Sequence, residues 1–255
     1  MKTILAISYN LFRRALKSKI FLIFLFFSLI LIFLSRLFEF LTFTAEVKII
    51  KDVGLASISL FSALIALCIA GESVVGEIEK KTTYILFSKP VSKSFFILGN
   101  FLGMIWVLGI SILLSGLVLF FIIYLKQGTV EVMFWTILGF SFLEALVVAS
   151  IALMFSSFSS STSASILFSF LFYLAGHLNP QLCRIGKLSQ SKIIQLTTKA
   201  IGWILPNLEY FNIRGKITQE SSLSKDYVGE TILYGIAYIG IMLVLAYLFL
   251  RRREL

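Results

Sequence analysis

"FFILGNFLGMIWVLGISILLSGLVLFFIIYL", residues 95–125, contains no Asp, Glu, Lys, Arg or His. A bilayer core about 30 Å thick is crossed by about 20 apolar helical residues. This run is longer than one crossing needs, so the reading is a span that tilts or extends into an interface. Working outward, an apolar run covers Ile20–Leu41, with Arg36 and Glu39 near its end, and another covers Val53–Val75. From Val132 to Gly176 the only charge is Glu144. That length must be two helices. The polar "SSFSSSTSAS", residues 156–165, is the natural break, which predicts helices near 132–155 and 163–178. The last run is Thr231–Leu250, followed by "RRREL".

Composition agrees with the six runs. Hydrophobic residues make up 58% and charged residues 14%, and the mean hydropathy is +0.97. A soluble domain carries about 25% charged residues. The expected fold is therefore all-α, a polytopic membrane protein with six transmembrane helices in a single domain, 1–255. The first apolar run is long and starts late, with no small-residue cleavage pattern after it, so it is not read as a cleavable signal. The net charge of +10 comes from basic residues flanking apolar runs. Topology and lipid headgroups account for it, and no nucleic-acid partner is implied.

Residues 1–19, "MKTILAISYNLFRRALKSK", place Ile4, Ile7, Leu11 and Ala15 at helical spacing. Ser8, Asn10, Arg13, Arg14 and Lys17 fill much of the other face, which predicts a basic amphipathic helix on the membrane surface. A polar helical start to the first span is the other reading. Basic residues decide orientation weakly: with the N-terminus inside, 12 lie on the cytoplasmic side and 10 outside. The first span favours the N-terminus inside, with five before it and two after it. Both termini are then cytoplasmic, 76–94 is a cytoplasmic loop and 179–228 an extracytoplasmic segment. That segment is expected to hold one or two short interfacial helices, with Trp203 and Tyr210 at the headgroups and a break at Pro206.

The search for catalytic chemistry is negative. The one histidine, His177, rules out a two-histidine zinc pair, and neither GxSxG nor a Walker A sequence occurs. His177 and Cys183 lack a third neighbouring ligand, so no metal site is expected and His177 is read as a hydrogen-bonding residue at a helix end. Cys68 and Cys183 make no disulfide framework. Arg36 and Glu39, three apart, read as a local ion pair. Glu144 lies mid-span and Glu72 near the end of the second span. Intramembrane carboxylates are functional candidates, against the alternative of a protonated Glu bonded to a neighbouring helix.

The stretch between the second and third spans is "GEIEKKTTYILFSKPVSK", residues 76–93. A short amphipathic helix from about Ile78 to Phe87 fits it, with Glu77 and Glu79 at the start, where the helix dipole favours acids. Pro90 stops it. Apolar residues exposed outside the membrane invite a partner protein or lie on lipid.

This loop resembles the cytoplasmic coupling element of ABC-2 type permeases, whose pattern runs close to E-I-E-x-G-T-x-x-x-L-L-S-[KR]-P-V-S-R. Glu77, Ile78, Glu79, Thr82, Leu86, Ser88, Lys89, Pro90, Val91, Ser92 and Lys93 carry it. Lys81 stands in place of Gly, Phe87 in place of Leu, and Lys93 in place of Arg. "ISYNLFRRALKSKIF" (7–21), "KDVGLASISLFSALIA" (51–66), "LAGHLNPQL" (174–182) and "LPNLEYFNIRGKI" (205–217) resemble the branch often labelled copper-enzyme-maturation permeases. The resemblance implies a permease subunit in the inner membrane that pairs with a second, identical subunit and docks on two copies of an ABC ATP-binding subunit. ATP and Mg would sit on that partner, with no cofactor on this chain. It further implies that Glu77, Glu79, Thr82, Thr83, Leu86, Ser88, Lys89 and Pro90 couple to the ATPase, the acids meeting its basic groups. Arg13, Arg14 and Lys17 would belong to the elbow helix. Soft copper sites want Cys and Met; beyond Met1, the methionines are scattered at 104, 133, 154 and 242. The alternative function is an ATP-independent channel or ion-coupled carrier built around Glu144.

Overall fold

The computed structural model describes residues 2–39, 46–79, 92–189, 191–213 and 225–252. Among them the chain is helical, with no strand. The helices are α1 (Lys2–Lys17), α2 (Lys19–Glu39), α3 (Glu46–Ser73), α4 (Val75–Glu79), α5 (Lys93–Gln127), α6 (Val132–Phe158), α7 (Thr162–Leu188), α8 (Lys192–Ile204) and α9 (Lys225–Arg252). A 3-10 turn covers Leu208–Tyr210. Five helices are long and apolar enough to cross a membrane, and a sixth is counted when α1 and α2, bent by 62°, are taken together. The all-α polytopic expectation holds.

The helices α2, α3, α5, α6, α7 and α9 alternate in direction, so both ends of the described chain lie at one end of the bundle. We call this the terminal end and its opposite the distal end. α6 is the most buried span and forms the centre. It packs chiefly on α3 and α9. Buried Val147, Val148, Ala149, Ile151, Ala152 and Leu153 line it in succession, apolar all round as a central helix must be. α7 and α9 instead turn Leu167, Phe168, Leu171, Leu233, Ile236 and Val244 outward, as helices do where the surrounding medium is lipid.

Several boundaries differ from the sequence reading. The break within 156–165 shrinks to Ser159–Ser161. Ser157 donates to the Leu153 carbonyl and Ser169 to the Ser165 carbonyl, at 2.9 and 2.7 Å. Serines satisfied by the preceding turn do not interrupt a helix in apolar surroundings. The fifth span does not stop at 178. It continues through Pro180 to Leu188, because Asn179, Cys183 and Gly186 meet the returning chain instead of water. Gly176, four residues before the proline, has no side chain, and Pro206 and Leu208 occupy that space.

The helix α1 is amphipathic, but the structure buries its apolar face in protein, not lipid. Ile7, Leu11 and Ala15 are buried. A methyl group on Gly99 would stand 2.8 Å from Ile7, and one on Gly103 2.9 Å from the Ser8 carbonyl. Two missing side chains on α5 thus let α1 lie directly on it. At its far end α5 stops at Gly128, whose φ of 68° suits glycine and whose N–H reaches the Tyr124 carbonyl at 2.8 Å.

Candidate functional site

At the terminal end, α3 breaks after Ser73 and restarts as α4. A break inside a membrane helix strands backbone groups, which need other partners. Here the N–H groups of Val74 and Val75 both donate to Ser156 Oγ of α6, each at 3.1 Å. The two acids of α4 then point to different helices. Glu77, 5% exposed, pairs with Arg14 of α1. Glu79 accepts from the Thr162 backbone N–H at 3.0 Å and from its hydroxyl at 2.7 Å. It thereby caps α7 as a carboxylate at a helix N-terminus does.

The other side of the loop is anchored as well. Ser92 is the N-cap of α5, accepting from the Phe95 N–H at 3.4 Å. Lys93 Nζ donates to the Leu250 carbonyl in the last turn of α9, at 3.3 Å. The described residues on either side of 80–91 are therefore tied to α1, α5, α6, α7 and α9.

Of the coupling residues expected from sequence, Glu77 and Glu79 are described. Both make contacts within the chain, Glu77 as a buried side chain and Glu79 as an exposed one. Thr82, Thr83, Leu86, Ser88, Lys89 and Pro90 lie outside the described residues, as does most of the helix expected over 78–87. Arg14 joins Glu77, while Arg13 and Lys17 are exposed on α1. Glu72 is half-buried and lines a cleft between α1 and the end of α3, with Leu11, Arg14, Ser18 and Ser73. The reading missed Ser156; a serine near the end of a span carries no signal that it will accept two backbone donors.

The second polar centre lies mid-bundle. Glu144, 3% exposed at its side chain, accepts from Ser59 Oγ of α3 at 2.9 Å. Its other oxygen stands 3.2 Å from His177 Nε2 of α7. His177 Nδ1 lies 3.7 Å from Glu209 of the 3-10 turn. Tyr173 packs edge-on against the imidazole, with centroids 4.8 Å apart.

The segment that brings Glu209 there does not lie flat. α8 folds back along α7, with Thr198 against Gly186 and Gly202 against Cys183. Asn179 Nδ2 then reaches the Leu205 carbonyl at 3.0 Å and the carbonyls of Gly202 and Pro206 at 3.4 Å. Tyr238 donates to the Ile204 carbonyl at 3.2 Å, and the Asn207 N–H donates to Tyr234 at 2.8 Å. The chain thus returns roughly 16 Å from the end of α7 to the level of His177, its non-helical backbone served by side chains of α7 and α9. Tyr210 is exposed, and its carbonyl accepts from Tyr227 at 2.6 Å.

Among the described residues no group of three or more His, Cys, Asp or Glu side chains is arranged to hold a metal ion, and both cysteines are free thiols. Compared with known families, residues 5–255 match the model for the ABC-2 family transporter proteins. No curated protein matches the chain significantly.

Proposed function

The chain belongs to the ABC-2 family of transporter proteins, and from that premise we propose that it is the permease subunit of a transporter driven by a separate ATP-binding subunit. Two permease copies pair, each docks on one ATPase subunit, and both termini face the cytoplasm. Residues 80–91 enter a groove of the ATPase, with Leu86 as the apolar anchor and Pro90 ending the docking element. ATP and Mg bind the partner, and no bond is made or broken on this chain.

The observation that carries this reading is the mounting of the loop. A spacer between spans needs no anchors, yet Glu77, Glu79, Ser156, Ser92 and Lys93 fasten this one to five helices. Closure of the ATPase dimer would shift both bases and so move α1, α6 and α7 as a unit, since α4 is tied to all three. Glu77 and Glu79 act as mounts for the loop, and the contact with the partner falls to 80–91.

Co-purification from membranes tests it. An ATP-binding subunit co-expressed with the chain should be retained and its ATP hydrolysis stimulated. Failure of every candidate ATPase to bind contradicts the proposal. A carrier run on Glu144 alone would instead show ion-driven flux that ignores ATP and vanishes in Glu144→Gln.

A further inference from the structure

The ATPase reading leaves Glu144, His177 and Glu209 unused. They come from three separate elements, α6, α7 and the 3-10 turn, and their side chains are 3%, 31% and 48% exposed. Burial therefore falls steadily from the bundle interior to the surface. Each imidazole nitrogen faces one carboxylate. Glu144 Oε1 and His177 Nε2 are buried, 3.2 Å apart, and out of line for a direct hydrogen bond. The two carboxylate oxygens of Glu144 already meet Ser59 and His177, so little more than a proton fits between the members of the pair.

We propose that Glu144, His177 and Glu209 form a proton-binding site open to the distal face, and that its occupancy holds the 205–213 segment against the bundle. The argument is one of charge. With a neutral imidazole, the site sets two carboxylates around a ring that donates to only one of them. An imidazolium turns an N–H toward each carboxylate, at 3.2 and 3.7 Å, and leaves one net negative charge instead of two, in surroundings where unpaired charge is costly. Glu209 is the most exposed member and sits on a short turn, while Glu144 and His177 sit on long helices. Proton binding and docking of the turn therefore favour each other reciprocally.

The groups around the imidazole define what can titrate there. α6 supplies Glu144 and the turn supplies Glu209. α3 presents the Ser59 hydroxyl through Glu144, and α7 itself presents Tyr173. α8 places Gly202 at the neighbouring level, beside Asn179 and Cys183. α9 contributes Tyr234 and Tyr238, which hold the same segment through its backbone.

The inference stands apart from the ATPase reading and is tested without nucleotide. The full-length protein in lipid nanodiscs is followed by hydrogen–deuterium exchange between pH 5.5 and 8. Uptake is corrected for the chemical exchange rate and referred to α5 peptides of the same sample. Protection of 205–213 should fall with rising pH, by up to about tenfold per unit where one proton is released. Glu209→Gln keeps an acceptor for Asn212 on an exposed turn, so its folding is not at risk, and it should flatten that slope. His177→Gln should do the same. A flat profile in the wild type, or a slope that survives in both variants, overturns the proposal.

Discussion

At the terminal end three of the polar ties use charged side chains, Arg14 with Glu77, Glu79 on the start of α7, and Lys93 on the end of α9, beside the neutral Ser156 and Ser92. At the distal end the returning segment is held by neutral groups, Asn179, Tyr234 and Tyr238. Charged groups there include the surface pair Lys51–Glu131 at 2.9 Å and the His177 cluster. An ionic mount can be loaded by a charged partner and is weakened by salt. A neutral one is not weakened by salt. The contrast fits the proposed docking of an ATP-binding subunit at the terminal end.

The largest test of that contrast is Arg14→Ala. It leaves the Glu77 carboxylate, 5% exposed, without its cation, and should cost about 3 kcal/mol, read by thermal unfolding in detergent. Glu77→Ala removes the buried charge itself and should cost less, because Arg14 is 47% exposed. The reverse order would break the account of this mount. Next, Asn179→Leu should cost about 2 kcal/mol and expose the amides of 202–205 to exchange, with no dependence on salt. A salt-dependent effect would erase the distinction between the two ends. Ser156→Ala leaves the Val74 and Val75 donors unmet and should cost about 1–2 kcal/mol, with faster exchange at those two amides. Smallest is Glu79→Ala, at about 1 kcal/mol, with fraying confined to the first turn of α7.

The spans were legible because a bilayer demands about 20 apolar residues in a row, and that demand is local. Residues 95–125 and 231–250 could be assigned without knowing their neighbours. What depends on tertiary pairing was not legible. The polar turn of α7 beyond Gly176 looks like an exit from the membrane. It is helical because Asn179, Cys183 and Gly186 face a returning chain. Glu144 stood out as a mid-span acid, but its partners lie 33 and 85 positions away, at His177 and Ser59, and nothing in a single sequence joins them. The α4 acids were noticed as the start of a helix over 78–87, most of which lies outside the described residues, while their partners Arg14 and Thr162 are set by packing. The apolar face of α1 was visible too, though not that Gly99 and Gly103 would draw it onto α5.

The most direct measurement is the affinity of the purified permease for its ATP-binding subunit, comparing wild type with Leu86→Asp. Leu86 is not among the residues named as mounts, and the variant is expected to unfold at the same temperature as the wild type. The account predicts that it loses about tenfold or more in affinity, together with stimulation of ATP hydrolysis. Equal binding and equal stimulation by the two proteins would contradict it.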